Sequence, residues 1–292
     1  MVQALTHSPL LRRTPDKLRV VHQTQDVLIA VPAIAVDKPM PATLFKPNDW
    51  TGATVLLVCG AGDNRFSFKW VLFEKFLSKG IAVLTVDPPG HGDYMTVPST
   101  VGNARAAMRA ASDWLHGQAG VRKVGVIGIS FGGCQVADLA ANDERIVALA
   151  SIASPVALPS ITRSVIVGEA LKLIFPLNLA LLLSISPRDV WSEWKSIRGA
   201  WYGESLYDMI EMFKMDECVR KMGTRPTMFV HGTQDMAVPP SNARRLHDAA
   251  KAERKLLFIP QATHLTAILR TAPMQQVADW FAAKLAEPNG DR

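Results

Sequence analysis

Short apolar runs at residues 53–59, 81–86, 123–129, 146–153, 227–232 and 255–260 punctuate this chain. Each is compact and rich in Val, Ile and Leu, the pattern of a strand buried in a sheet. Between the early runs the apolar spacing turns helical, over about Phe66 to Ser78, Thr100 to Leu115 and residues 131 to 141. Regular β-α alternation of this kind predicts a parallel, doubly wound sheet with helices on both faces. Upstream, Val27 to Val36 and Ala42 to Phe45 read as short strands broken by Pro32, Pro39 and Pro41, suited to the antiparallel margin of a sheet. Residues 1–17 are polar and proline-interrupted and are expected to form a loose arm.

The alternation stops between Ser154-Pro155 and Arg225-Pro226. About seventy residues intervene there, where a crossover needs roughly a dozen or more. Residues 155–224 are therefore an insertion. Helical spacing runs from about Ser160 to Leu183, with a break expected at Pro176, and again from about Pro187 to Lys221. Val165 to Ile185 is apolar enough to raise a membrane span, but Glu169, Lys172, Pro176 and Asn178 fall inside it. A lysine at mid-span costs about 3 kcal/mol to insert, so a buried helix is expected and stable membrane insertion is not. Trp191, Trp194, Trp201, Tyr202 and Phe213 make the segment aromatic. Packing within the insertion is the favoured reading for them, with an apolar ligand wall as the second.

At 292 residues the remainder, 18–154 and 225–286, fits one core domain. A hydrophobic content of 48% with 20% charged residues suits a sizeable core. The net charge of +6 is spread without a Lys/Arg run, so no nucleic-acid partner is expected. Cys59, Cys134 and Cys218 show no C-x-x-C spacing, which argues against a disulfide framework or zinc site and fits a reducing cytoplasm. Arg12, Arg13 and Lys17 are not followed by an apolar core with a small-residue cleavage site, so no secretory signal is expected.

The run 123–129 leads into Gly128-Ile129-Ser130-Phe131-Gly132 and then at once into a small-residue helical pattern. Strand, sharp turn and helix give G-x-S-x-G its meaning: the turn strains the serine backbone and exposes its hydroxyl. Side chains two residues to either side would collide with the neighbouring strand and helix. Cys134, one helical turn beyond Ser130, is expected to face the sheet. A serine hydroxyl needs a base, itself held by an acid. Asp235 lies just past the run 227–232, and His264 lies in the loop after the run 255–260. The order Ser130, Asp235, His264 differs from the chymotrypsin and subtilisin orders. Of the other histidines, His91 sits in a turn and His231 ends a strand, while His7, His22, His116 and His247 belong to no motif.

With these motifs the chain resembles the α/β-hydrolase superfamily from about Leu18 to Ala286. Val86-Asp87-Pro88-Pro89-Gly90-His91-Gly92 is similar to the family's D-x-x-G-H-G turn, usually structural. Val55-Leu56-Leu57-Val58-Cys59-Gly60-Ala61-Gly62 occupies the place of its H-G-x-G oxyanion loop, with Cys59 standing for the histidine. The resemblance implies an α/β-hydrolase fold, mostly parallel and doubly wound, with residues 155–224 as a helical cap over the site. It implies an oxyanion hole of backbone N–H groups from Phe131 and Ala61; such donors do not require the histidine.

The implied activity is hydrolysis of a carboxylic ester, thioester or lactone of a small, largely apolar acyl substrate by Ser130, His264 and Asp235. No cofactor or metal is implied. Serine at the elbow argues against the aspartate-nucleophile members of the superfamily. An acyltransferase with the same three residues and a non-catalytic ligand-binding protein on the same fold stay open as alternatives, and so does homodimerisation.

Overall fold

The computed structural model describes residues 20–67, 72–159, 163–174 and 202–286. In it the six apolar runs become six parallel strands: β3 (Ala53–Val58), β4 (Ala82–Val86), β5 (Lys123–Ile129), β6 (Ile146–Ile152), β7 (Thr227–Gly232) and β8 (Arg254–Ile259). The antiparallel pair β1 (His22–Val31) and β2 (Ala35–Pro47) completes one eight-stranded sheet in the order β1-β2-β4-β3-β5-β6-β7-β8. The protein has the α/β-hydrolase fold.

One difference from the sequence reading lies in β2, which passes through Pro39 and Pro41 as a single strand. Backbone donors and acceptors of an antiparallel strand alternate sides, and the Pro41 carbonyl accepts from Asp87 N on the β4 side at 2.9 Å. Pro41 therefore stands opposite Asp87 one step past the Ala42–Phe45 ladder, and the N–H it lacks is the reciprocal bond of that end pair. The cost is confined to the end of the ladder.

Strand periodicity splits the core in two. In β3, Val55 and Leu57 point to one face and Leu56 and Val58 to the other, and all four are fully buried. The first face packs α1 (Glu74–Leu77) and the last helix, Thr271–Ala286. The second packs α2 (Val101–His116) and α3 (Phe131–Asn142). With both faces covered, no alternation survives in the sequence.

Within the span 155–224, the structure describes α4 (Arg163–Ile174), α5 (Leu206–Phe213) and α6 (Met215–Lys221). Among the described residues of this span, α4, the strap 202–205 and the first turns of α5 line the space beside Ser130. Met209, Ile210, Phe213, Met215, Cys218 and Val219 join the same buried cluster as α2 and α3. There Phe213 meets Phe131 edge to face, with ring centroids 5.9 Å apart. The buried face of residues 206–221 therefore packs against α3, and α6 packs against α7 (Ser241–Ala249) as well. The arm at 1–17, the break at Pro176, and Trp191, Trp194 and Trp201 lie outside the described residues. Among the described residues no helix is long and apolar enough to cross a membrane.

Candidate active site

Ser130 is held in a conformation that L-residues avoid, with φ of 50° and ψ of −123°. Its N–H donates to the Ile152 carbonyl of β6 at 2.8 Å, which ties the strained residue to the sheet. The flanking glycines are steric necessities. A Cβ on Gly128 would stand 2.4 Å from Gly132 O, and one on Gly132 would stand 2.4 Å from Val58 O and Cys59 O. Phe131 opens α3; Gly133 N turns back to the Ser130 carbonyl at 3.0 Å, and the helix presents its positive end to the serine. Cys134 is fully buried among the second-face residues, with its thiol 3.3 Å from Pro155 O.

His264 is the first residue of α8 (His264–Ala267), and the last helix is accordingly α9 (Thr271–Ala286). A reciprocal cap fixes its position: Thr263 N donates to Thr266 Oγ1 at 2.8 Å, and the Thr263 side chain caps the turn in return. Gly232 lets the two loops touch, since a Cβ there would lie 2.3 Å from Ala262 O. Gln234 N then donates to Ala262 O at 2.9 Å and Gln261 N to Thr233 Oγ1 at 3.0 Å.

Across this seam Asp235 Oδ2 lies 2.8 Å from His264 Nδ1, and His264 Nε2 lies 3.1 Å from Ser130 Oγ. The three residues chosen by order in the sequence meet in one hydrogen-bonded line. Asp235 Oδ1 accepts from Ala237 N at 3.0 Å and Val238 N at 2.7 Å. Burial pushes its carboxyl up, but hydrogen bonds from His231 and His264 outweigh that and hold it down at about 2. A carboxylate can only accept, so Nδ1 of His264 carries the ring proton and Nε2 faces the serine as acceptor.

Two partners of this line have weak sequence signals. His231 Nε2 lies 2.8 Å from Val238 O and 3.1 Å from Asp235 Oδ2. Its spacing of four residues from Asp235 was visible, but a histidine ending a strand needs no function. Glu169 of α4 accepts from Met236 N at 3.0 Å and Leu265 N at 3.4 Å, the residues that follow Asp235 and His264. Nothing in the sequence linked it to either loop.

Ala61 lies in the loop after β3, and with Ser130, Phe131 and His264 it lines a cavity of about 600 Å³. Leu158, Val165, Leu206, Ile210 and Val238 make most of that cavity apolar. Of the described aromatic residues of the insertion, Tyr207 lines it, Phe213 is core, and Tyr202 is exposed. The Ala61 loop is clamped from below. Arg65 N donates to Asp87 Oδ1 at 2.7 Å, and its guanidinium pairs with Asp87 Oδ2 and, at 2.8 Å, with Asp93 Oδ2. Thr85 Oγ1 holds the Arg65 carbonyl at 3.0 Å. Among the described residues no group of three or more His, Cys, Asp or Glu is arranged to hold a metal ion.

Residues 55–280 match the profile of the Alpha/beta hydrolase family, and the chain belongs to that family. Over 230 residues, 78% of this chain and 69% of the relative, it is 22% identical to the uncharacterized protein YfhR of Salmonella typhi. Among solved structures, its fold is similar to that of a 2,6-dihydroxy-pseudo-oxynicotine hydrolase, with 19% identity, a TM-score of 0.65, and coverage of 93% of this chain and 70% of that one. It is similar also to the esterase domain of a Rhodothermus marinus protein, with 20% identity, a TM-score of 0.61, and coverage of 90% and 100%. At such identities the likeness establishes the fold.

Proposed function

We propose that this protein is a serine hydrolase that cleaves a carboxylic ester, thioester or lactone through an acyl-enzyme intermediate. The observation that carries the reading is the line from Asp235 through His264 to Ser130 Oγ, ending at the mouth of a largely apolar cavity. The family, with an esterase domain among its similar folds, supports the same reaction class.

In this reading His264 Nε2 takes the Ser130 proton as Oγ attacks the acyl carbon. The carbonyl oxygen becomes an oxyanion received by the N–H groups of Phe131 and Ala61, where the N-terminus of α3 favours negative charge. His264 passes the proton to the leaving alkoxide, and water repeats the sequence on the acyl-serine. Asp235 holds the imidazole in the productive tautomer and stabilises its charged form.

A fluorophosphonate probe and a short-chain p-nitrophenyl ester test the proposal together. Labelling at Ser130, ester turnover, and loss of about a millionfold in kcat on Ser130→Ala are expected. Full turnover by Ser130→Ala would overturn it. Labelling with slow hydrolysis that accelerates on adding an alcohol or amine acceptor would move the reading to acyl transfer.

A further inference from the structure

The cavity beside Ser130 carries a charge pattern opposite to that of the whole protein. The chain has a net charge of +6, yet the charged side chains among the described residues lining the cavity are two glutamates, Glu169 and Glu204, with no lysine or arginine. They reach it from different elements, Glu169 from α4 and Glu204 from the strap that leads into α5. Neither forms an ion pair among the described residues.

Glu169 is only 3% exposed. A carboxylate has about four lone-pair sites, and Met236 N and Leu265 N use two of those on Glu169. These backbone donors lock the group in place without neutralising it. Glu204 is fixed in the same way: Oε2 accepts from Val101 N at 2.8 Å, and its strap is pinned to Ser99 by Ser99 N to Tyr202 O at 2.6 Å and Glu204 N to Ser99 O at 2.8 Å. Two immobilised carboxylates with no ion-pair partner among the described residues, Glu204 held at the N-terminus of α2 and Glu169 by backbone amides alone, make a poor site for an anionic acyl group in a largely apolar enclosure. They make a good one for a cation, because a buried charge is favourable only when its partner arrives with it.

Resting on the esterase reading above, we propose that the substrate carries a cationic group, a protonated amine or quaternary ammonium, seated against Glu169 with Glu204 as the outer wall. Glu169 is then the specificity-determining residue of the site. The apolar lining receives the methylene or methyl surface of the same group.

The test compares a choline ester with its 3,3-dimethylbutyl ester, in which carbon replaces nitrogen and shape is kept. Wild type is expected to favour the cationic ester by about tenfold to a hundredfold in kcat/KM, the range of a charge-assisted contact. In Glu169→Gln, which keeps size and one acceptor, that ratio falls to near one whatever the absolute rates; in Glu204→Gln it falls less. Choline should also slow fluorophosphonate labelling of wild-type Ser130 where 3,3-dimethylbutanol does not, a readout that needs neither turnover nor a variant. Equal kcat/KM for the two esters, or equal protection by the two alcohols, with Ser130 labelled, overturns this inference and leaves the esterase reading standing. Failure of Ser130 to label sinks the esterase reading itself, and this inference with it.

Discussion

Two aspartates close the ends of two strands, each with a side chain fully removed from solvent, and they are partnered in opposite ways. Asp87, after β4, is gripped by Arg65 and by the N–H of Asp93 at 2.9 Å. Asp235, after β7, is gripped by two backbone amides and lies within reach of two imidazoles. Burial alone would lower the Arg65 guanidinium's pKa, but Asp87 and Asp93 outweigh it and raise it. Arginine does not release its proton in a protein, so the Asp87 clamp is static and fixes a loop. Imidazole gains and loses a proton near neutrality, so the carboxylate at 235 faces a group whose charge can change during a reaction. Equal burial therefore says little about role; what matters is whether the partner can titrate.

The strongest way to break this contrast is to neutralise each carboxylate in turn. Asp235→Asn, by offering the amide in place of the acceptor, favours the wrong imidazole tautomer and is expected to lower kcat about ten-thousandfold while the protein stays folded. Kinetics beside a thermal melt would check both halves. A loss of only a few-fold would take Asp235 out of the proposed mechanism.

At the other aspartate the loss should appear in stability. Arg65→Met leaves Asp87 buried and unpaired, with an expected cost of about 3–5 kcal/mol in denaturant unfolding. Any activity lost beyond the unfolded fraction would measure how far the clamp also sets Ala61. Arg65→Lys should recover only part, since a single ammonium cannot reproduce contacts to Asp87, Asp93 and, at 3.3 Å, Thr43. Unchanged stability in Arg65→Met would contradict a structural role for the clamp.

Acid sharpens the comparison further. The Asp235 carboxyl sits at about 2, below its unfolded value of about 3.9, so its stabilisation is complete above roughly pH 4 and is lost as pH falls toward 2. The amount is about 2.6 kcal/mol by linkage. Asp143 acts in the same direction: burial raises its carboxyl, but Arg145 and Ser112 outweigh that and lower it. Asp235→Asn should flatten only part of the acid slope in urea melts between pH 5 and 2. An unaltered slope would mean that Asp235 is not held as the structure describes.

What the sequence disclosed follows from which signals are local. The runs at 123–129 and 227–232 match β5 and β7 residue for residue, because a strand covered on both faces is a continuous apolar run. Ser130, Asp235 and His264 were legible because each sits at a strand end with its own loop chemistry. Arg65 was not, since its partner lies 22 positions away and charge pairing has no period. Glu169 was hidden for the same reason, 67 positions from Met236 and 96 from Leu265, inside a run whose apolar neighbours suggested only a buried helix. The partners of residues 206–221 were hidden too, because helical spacing records an apolar face and not the element that covers it.

The smallest expected effect concerns His231, which touches the same Asp235 oxygen as His264 but is 1% exposed and remote from Ser130 Oγ in the chain of contacts. Its Nε2 binds both Val238 O and Asp235 Oδ2, and its Nδ1 is buried without a partner in the described structure. A group so enclosed can orient the carboxylate but cannot reach substrate, which makes it a positioning residue. His231→Phe removes the donor and is expected to lower kcat about tenfold at similar KM, since one hydrogen bond to a carboxylate contributes about 1.5 kcal/mol or more. His231→Gln, whose amide nitrogen can stand near Nε2, should recover part of that. The acid limb of the stability profile should also move upward in His231→Phe, because Asp235 then loses one of the two imidazole contacts that hold its carboxyl down. If kcat falls with no such movement, the loss comes from packing at the end of β7, and the symmetry of two imidazoles on one carboxylate has no functional weight.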